Sequence, residues 1–267
     1  MDSQNVLITG ASSGIGASIA SYLHSRGHNV WGTSRTPTTS TSGYPMIELD
    51  VDDDDSARAA VRSFIDENGH IDLLVNNAGF GLAGPAEDTS IELAKQQFET
   101  NFFGVVRMTQ AVLPHMRNGD GGKIFNIGSI GGLIGLPFHA FYSASKFALE
   151  GYVESLRLEL RPWNIAVVNI DPGDYDTNFN TNIRMVENPS AIYRKNLDAM
   201  LAVVEEDEDN GGDPTDVAKL VEKLMNKPDG HHVRYLVGKA PQKLAVYLKR
   251  STSSRFFERI IARSYQL

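Results

Sequence analysis

The sequence lacks cysteine altogether. This absence excludes disulfide bonds, thiolate metal sites and a cysteine nucleophile, and it fits the reducing cytoplasm, which is the location we expect. The N-terminus lacks the basic and apolar segments of a signal peptide, so we expect no leader. The most apolar long segment, residues 123–142, is interrupted by glycines and a proline and predicts a buried strand followed by a loop, not a membrane span.

Further absences concern metals, hydrolases and nucleic acid. The seven histidines show no metal-ligand spacing with carboxylates, so we expect no metal ion. The string G-x-S-x-G occurs only within the glycine-rich sequence at residues 9–16, and we expect no hydrolase there. The net charge of −8 argues against non-specific binding of nucleic acid, and we expect no such partner. The charge is uneven, because residues 231–267 contain eight Lys or Arg and one Glu.

Short apolar runs alternate with amphipathic segments along the chain. The strand-like runs are residues 6–9, 29–33, 46–49, 73–76, 123–127, 165–170 and 235–237, and the helix-like segments are residues 14–26, 54–68, 90–117, 139–161 and 214–226. This alternation predicts an α/β fold in which helices cover both faces of a parallel sheet. The length suits one domain over residues 1–267, with 239–267 as a basic helical extension. Residues 36–43 are predicted to be a loop and 205–214 a solvated linker.

The first predicted strand ends in the glycine-rich sequence TGASSGIG, residues 9–16. Gly10, Gly14 and Gly16 permit a tight turn and a close approach of the backbone to a pyrophosphate, and the helix that follows offers free N–H groups. A glycine-rich string is a weak motif alone, but a strand before it and a helix after it are the context of a dinucleotide site. A purely structural turn is the alternative.

The end of the second predicted strand indicates which dinucleotide would bind. NAD-binding proteins usually place an acid there for the ribose hydroxyls, whereas this chain has no Asp or Glu between Asp2 and Glu48. Arg35 stands there instead, and its guanidinium suits a 2′-phosphate. The pattern therefore favours NADP(H), with an ordinary surface arginine as the alternative.

The sequence YSASK places Tyr142 four residues before Lys146, with only small side chains between them. Residues four apart share one face of a helix, and an isolated pair of this kind is usually a surface contact. The alternative is chemical, because a lysine about 4–5 Å from a tyrosine would lower the phenol's pKa by several units from its free value of about 10. The small spacer would leave room for a cofactor and a substrate.

Six motifs come in the order and spacing of one known family. They are TGASSGIG, NNAG (76–79), Asn101, Ser129, the Tyr142/Lys146 pair and PGDYDT (172–177). Over residues 5–238 the chain resembles the short, single-domain branch of the short-chain dehydrogenases/reductases, in particular hydroxysteroid-type, retinol-type and carbonyl reductase members. The resemblance implies a Rossmann-type, doubly wound parallel sheet of about seven strands. It also implies a homodimer or homotetramer.

The resemblance assigns roles to residues of these motifs. Tyr142, Lys146, Ser129 and Asn101 would be the catalytic set, with Asn101 at a helix irregularity where it holds a proton-relaying water. Taken alone, Ser129 also fits a capping serine and Asn101 a tolerated polar residue. The residues that would contact the dinucleotide are Gly10, Ser12, Ser13, Gly14, Ile15, Gly16, Arg35, Asp50, Val51, Asn77, Ala78, Gly79, Tyr142, Lys146, Pro172, Gly173, Tyr175 and Thr177. Tyr175 is bulkier than the Val or Ile that is frequent in the family.

We expect an enzyme that reduces a ketone or aldehyde with NADPH, or catalyses the reverse oxidation. A regulator that binds NADPH without turnover is the alternative, and an epimerase or dehydratase on the same fold would usually need a longer chain. Residues 130–138 and 174–206 are expected to line an apolar pocket, through Leu133, Leu136, Phe138, Phe179, Met185 and Tyr193. Such a lining favours a steroid, a retinoid or another lipid-like substrate.

Two segments are expected to make contacts beyond the active site. The predicted helix at 142–160 has an apolar arc wider than one core contact needs, with small residues at Ala144 and Ala148, which favours a homo-oligomer. The tail mixes apolar and basic residues at helical spacing over about 241–249 and 254–264. It either packs on the parent domain, or it covers the apolar pocket or contacts anionic membranes weakly.

Overall fold

The computed structural model describes residues 3–37, 43–177, 183–227 and 230–267. Nine strands occur in these ranges: β1 (Asn5–Ile8), β2 (Asn29–Ser34), β3 (Met46–Glu48), β4 (Leu73–Asn76), β5 (Leu82–Ala83), β6 (Gly122–Ile127), β7 (Ile165–Pro172), β8 (Arg184–Met185) and β9 (Arg234–Val237). Seven of them form one parallel sheet in the order β3-β2-β1-β4-β6-β7-β9. The short strands β5 and β8 pair separately.

The helices of the described residues are α1 (Gly14–Ser25), α2 (Asp54–Asn68), α3 (Ile91–Phe98), α4 (Gly104–Asn118), α5 (Ala140–Leu160), α6 (Arg194–Asp209), α7 (Thr215–Met225), α8 (Ala240–Ser251) and α9 (Ser254–Ser264). A π-helical turn, Glu99–Phe103, joins α3 to α4. Short 3-10 turns lie at Ile130–Gly132 and Arg161–Trp163. None of the helices in the described ranges combines the length and apolar character needed to cross a bilayer.

Alternating residues of the central strands pack into two hydrophobic cores, one on each face of the sheet. On one face Ile8 and Val75 pack with apolar residues of α1 and α7. On the other face Leu7 and Leu74 pack with apolar residues of α2, α4 and α5. These side chains are 0% exposed, which explains why the parallel strands are almost continuously apolar. The predicted doubly wound α/β fold is confirmed.

The strand order reverses direction between β1 and β4, and this reversal determines where the candidate site lies. Chain connections leave β1 toward β2 on one side and β4 toward β6 on the other, so a crevice opens at the carboxyl ends of β1 and β4. The glycine-rich loop follows β1, and the segment 76–79 begins at the end of β4. Both motifs therefore reach the same crevice.

Some predicted elements need correction. The predicted helix at 90–117 is interrupted by the π-helical turn, and the predicted linker at 205–214 begins inside α6, which continues to Asp209. Helix α6 forms because Leu197, Met200 and Val204 recur at helical spacing and pack in one apolar cluster, while Glu205 and Glu206 are exposed to solvent. Most of the predicted loop at 36–43 lies outside the described residues.

The C-terminal segment forms the two predicted helices, α8 and α9. Val246 of α8 and Phe257 of α9 are buried against Ile130 and Ile134, in the loop that follows β6. Thr252 closes the end of α8 by donating its hydroxyl to the Leu248 carbonyl, 2.7 Å away. The extension therefore packs beside the loop that carries Ser129.

Candidate active site

The loop between β1 and α1 is shaped by glycines that no larger residue could replace. Gly10 and Gly14 have positive φ angles of 65° and 56°, a conformation that other residues rarely adopt. A Cβ added at Gly16 would lie 2.3 Å from Asn77 Nδ2 and 2.4 Å from the Gly10 carbonyl oxygen. The backbone is thus packed closely at the N-terminus of α1, as a pyrophosphate cradle requires.

Residues after β4 hold this loop in place. The Asn77 side-chain amide donates to the carbonyls of Thr9 and Gly10, each 3.0 Å away. The Thr9 hydroxyl accepts from the backbone N–H groups of Asn77 (2.9 Å) and Ala78 (3.0 Å). The predicted contact residues on the two sides of the crevice are therefore tied into one rigid floor.

The far end of the crevice contains the residues predicted to contact the adenosine. Arg35 follows β2, is exposed, and makes no ion pair with any described residue. Asp50 follows β3, where its Oδ1 accepts from Asp52 N (3.0 Å) and its own N–H donates to Ser56 Oγ (2.9 Å). Arg35, Asp50 and Val51 all line the same cavity as the glycine loop.

Tyr142 and Lys146 lie on the first two turns of α5, and each is 8% exposed. Their side chains face the end of β6, where the Tyr142 and Ser129 hydroxyls form a hydrogen bond. Lys146 Nζ donates to the Ile127 carbonyl at 2.8 Å. Ser129 Oγ also accepts from Gly131 N at 2.9 Å, so this serine caps a turn and contacts the tyrosine. The structure brings the three residues together at the cavity floor.

Burial is the main cause of the pKa shifts of Tyr142 and Lys146. Burial raises the pKa of Tyr142 to about 12, and the hydrogen bond from Ser129 opposes that rise. Burial lowers the pKa of Lys146 to about 8, opposed by the charges of Asp171 and Glu150. The net result is a higher pKa for Tyr142, and the ammonium of Lys146 is directed to the Ile127 carbonyl instead. The expected lowering is therefore wrong for this structure, and Tyr142 holds its proton at neutral pH.

Asn101 lies at the middle of the π-helical turn and is 1% exposed. Its amide accepts from Phe80 N and donates to the Phe80 carbonyl, both at 3.0 Å, and a weaker contact of 3.4 Å reaches Ser145 Oγ. The expected helix irregularity is present. Asn101 fastens the loop after β4 to the helix that carries the lysine.

The loop after β7 carries further residues that are predicted to contact the dinucleotide. Pro172 ends β7, and Gly173, Tyr175 and Thr177 line the cavity. The bulky Tyr175 ring turns into the core, where a Cβ on Gly212 would come within 2.9 Å of it. The ring thus leaves the crevice open, and its backbone stays available for the expected contact.

One cavity of about 610 Å³ connects all of these parts. Every predicted cofactor residue that the structure describes lines it except Gly16, which lies beneath the loop. The wall also contains Asp174, Ile183, Arg184 and Val204, which lie within the predicted lining segment 174–206, and His139, Asp207 and Tyr265, which sequence reasoning missed. Tyr265 follows α9, so a residue more than a hundred positions from Tyr142 closes the same cavity.

The expected apolar lining is only partly correct. Leu136 lines the cavity, whereas Leu133 packs with the C-terminal helices, and Met185 is 40% exposed. Phe138 and Tyr193 stack edge to face behind the wall, at a centroid distance of 6.2 Å. Phe179 lies outside the described residues. Among those residues, no group of three or more His, Asp or Glu side chains is placed to hold a metal ion.

Comparison with known proteins agrees with this geometry. The family model "short chain dehydrogenase" matches residues 4–188. The chain therefore belongs to the short-chain dehydrogenase/reductase family of oxidoreductases, which use nicotinamide dinucleotides, and the predicted family is confirmed.

Several known proteins are similar to this chain in sequence or in structure. 3-Ketodihydrosphingosine reductase of Bacteroides thetaiotaomicron is 44% identical over 227 residues, or 84% of each chain. Retinol dehydrogenase 8 of Bos taurus is 39% identical, covering 66% of this chain and 60% of that protein. Estradiol 17-beta-dehydrogenase 1 of Rattus norvegicus is 41% identical, covering 67% and 56%. A short-chain dehydrogenase structure from Streptomyces avermitilis matches with a TM-score of 0.83 at 26% identity, over 99% of this chain and 98% of that one.

Proposed function

We propose that the protein reduces a ketone on a long-chain, lipid-like substrate with NADPH. The observation that carries the proposal is the meeting of Ser129, Tyr142 and Lys146 on the floor of the cavity that begins at the glycine loop. NADPH, when bound, supplies a hydride to the carbonyl carbon. The protein must then supply a proton to the carbonyl oxygen.

Tyr142 is the proposed proton donor. A pKa of about 12 keeps its hydroxyl protonated at neutral pH, as donation requires. Ser129 shares the substrate oxygen, because its hydroxyl already lies within hydrogen-bond reach of Tyr142. Lys146 follows Tyr142 by one turn of α5, and its pKa of about 8 lets it pass on a proton near neutral pH. For Asn101, the family resemblance supports a role in holding a water behind the lysine.

Cofactor choice rests on Arg35. The glycine cradle fits either dinucleotide, since a pyrophosphate is common to both. Arg35 is the cationic residue beside the adenosine end of the cavity, it is not paired with any described acid, and no acid occurs between Asp2 and Glu48. An unpaired guanidinium supports recognition of a 2′-phosphate.

The substrate class rests on the relatives and on the cavity. The Bacteroides relative carries the name of a reductase of a long-chain sphingoid ketone, and two others the names of retinol and steroid dehydrogenases. The cavity wall supplies apolar groups from four separate segments, among them Leu136, Ile183, Val204 and Tyr265. We therefore propose 3-ketodihydrosphingosine as the first substrate to test.

The test follows NADPH oxidation with 3-ketodihydrosphingosine, a steroid ketone, retinal and a small ketone. We expect turnover of at least one long apolar carbonyl, and faster turnover with NADPH than with NADH. Tight NADPH binding without turnover of any carbonyl would favour the regulatory alternative instead.

We also propose that α8 and α9 make a weak contact with anionic membranes. Leu244, Tyr247 and Phe256 are 52–58% exposed on these helices. Arg255, Arg259 and Arg263 are exposed nearby on α9, and no described acid pairs with them. Exposed apolar groups beside free cations suit an anionic lipid surface. A cytoplasmic location remains part of the proposal.

A homo-oligomer through α5 completes the proposal. Phe147 and Leu158 are 40% and 73% exposed, and Ala144 and Gly151 lie beside them on the outer face of the helix. Small residues next to exposed apolar ones let a second helix approach closely. Light scattering at micromolar concentration should give a dimer or tetramer, and Phe147→Glu should shift it toward the monomer.

A further inference from the structure

A chain of buried polar side chains runs across the sheet beneath the candidate active site. Asn76 Nδ2 donates to Asn126 Oδ1 (2.9 Å), Asn126 Nδ2 donates to Asn169 Oδ1 (3.2 Å), and Asn169 Nδ2 donates to Glu150 Oε1 (2.6 Å). Arg234 on β9 then donates to Glu150 Oε2 at 2.7 Å. Because Glu150 lies one turn after Lys146 on α5, this chain anchors the helix that carries the candidate lysine.

Asp171 on β7 lies beside this chain and is 0% exposed. Neither of its carboxyl oxygens accepts a hydrogen bond from a donor group of the described residues, and the carboxylate of Glu150 lies within hydrogen-bond reach. A Cβ added at Gly128 would lie 2.0 Å from Asp171 Oδ1, so the carboxyl group occupies the space that this glycine leaves free. Gly128 adjoins Ile127, whose carbonyl binds Lys146. Asp171 therefore sits directly behind the candidate catalytic group.

An ionised carboxylate at this buried position would destabilise the folded state. Removing a carboxylate from water without hydrogen bonds is strongly unfavourable, whereas a neutral acid carries one O–H donor. Burial, and then the negative charge of Glu150, raise the pKa of Asp171 well above its ordinary range. Arg234 and Lys146 oppose that rise but do not overcome it. Glu150 forms an ion pair with Arg234, and its carboxylate is placed to accept the proton of Asp171.

We propose that Asp171 is kept as a neutral acid that hydrogen-bonds to Glu150, and that it is a positioning residue which sets the electrostatic surroundings of Lys146 and Tyr142. The charged and titratable groups that interact with it are Lys146, Tyr142 and Glu150 on α5 and Arg234 on β9. An ionised Asp171 would hold the lysine proton more tightly and oppose formation of a phenolate. The catalytic part of this inference rests on the proposed function.

The stability arm of the test does not depend on activity. Asp171 has a higher pKa folded than the roughly 3.9 of an unfolded aspartate, so wild-type stability should fall as pH rises from about 4 toward the folded value. Asp171→Asn keeps the shape and a donor for Glu150 but cannot ionise. Its melting temperature should exceed that of wild type by roughly 3 °C or more at pH 8, with a smaller gap at pH 5.

Two further measurements test whether Asp171 itself is the protonated group. Asp66→Asn, a change of an exposed aspartate on α2, should show no such pH-dependent gap. Folded wild type at pH 7 should show the infrared carbonyl band of a protonated carboxylic acid, and this band should vanish on unfolding at the same pH. An Asp171→Asn protein less stable than wild type at pH 8, or the absence of that band, would overturn the inference.

The activity arm follows turnover against pH. Asp171→Asn should change the profile on its alkaline side, because a rise in pH is what would ionise the wild-type carboxyl group, and it should leave the acidic limb in place. A shift of the acidic limb would mean that an ionised Asp171 acts in the neutral range, which contradicts the inference. Failure of wild type to reduce any ketone would reject the proposed function, yet leave the stability and infrared results to decide the state of Asp171.

Discussion

The two ends of the cavity are built in different ways. At the cofactor end, Gly10, Gly14 and Asn77 come from short motifs at the tips of neighbouring strands, and the backbone itself forms the surface. At the substrate end, side chains from α6, β8 and the residue after α9 converge from distant parts of the sequence. A surface made of backbone tolerates few sequences, whereas a wall of side chains can change with little effect on the fold.

The difference predicts which changes act on chemistry and which on selectivity. Ser129, Tyr142 and Lys146 lie at the junction of the two ends, and substitutions there should stop the reaction. Changes at the cofactor end should alter the choice of dinucleotide, and changes at the substrate end should alter selectivity among ketones. The predictions below follow that order, from the largest effect to the smallest.

Tyr142→Phe should have the largest effect, because it removes the proposed proton donor at the junction. Turnover should fall by about 100-fold or more, while NADPH binding changes little, since the ring remains. The measurements are steady-state NADPH oxidation and a fluorescence titration with NADPH. Tyr247→Phe on α8, an exposed tyrosine, is the matched control. Turnover near the wild-type rate in Tyr142→Phe would contradict the proposed chemistry.

The cofactor end was largely predictable from the sequence for a physical reason. Positive φ angles and close backbone approach demand glycine, so Gly10, Gly14 and Gly16 leave a visible pattern in the sequence. Each of the seven strands of the main sheet also contains a short apolar run, and all seven were found within two residues of their bounds. Local requirements of this kind can be inferred without knowing the tertiary structure.

The substrate end was not predictable in the same way. Tyr265 reaches the cavity only because Val246 and Phe257 dock the C-terminal helices beside the loop at 130–138. Helix α6 was missed because its acidic end suggested a linker. Asp171 had one visible signal, an acid within an otherwise apolar strand, but its neighbours Glu150 and Gly128 are brought to it by the fold. Such contacts depend on long-range packing.

Arg35→Ala should have the next largest effect, confined to the cofactor end. The KM for NADPH should rise about 10- to 100-fold, because a charge-assisted phosphate contact is worth about 1.5–3 kcal/mol, while the KM for NADH changes little. Arg62→Ala, which removes an exposed arginine on α2, should leave both constants unchanged. Wild-type protein that uses NADH as well as NADPH would show that Arg35 does not select the cofactor.

Tyr265→Ala should act at the substrate end alone. Loss of a largely buried ring from the cavity wall removes apolar contact worth about 1.5–3 kcal/mol, so kcat/KM for a long-chain ketone should fall roughly tenfold or more. A small ketone, which does not reach the wall, should be reduced at the wild-type rate. Tyr247→Ala is the matched control on the exposed face of α8. Equal loss across a size series of ketones would mean that Tyr265 only stabilises the fold.

The smallest effect is expected from substitutions on the exposed face of α9, in the C-terminal extension. Replacing Arg255, Arg259 and Arg263 by glutamine removes three exposed cations that have no ion-pair partner among the described residues, so the fold should tolerate the change. Each cation near an anionic bilayer contributes about 1 kcal/mol, and binding to vesicles that contain phosphatidylserine should weaken at low salt. Turnover of a soluble ketone should not change, whereas turnover of a vesicle-embedded one should fall. If wild type does not bind these vesicles at low salt, α9 serves only to close the cavity, and the membrane contact is rejected while Tyr265 keeps its place in the wall.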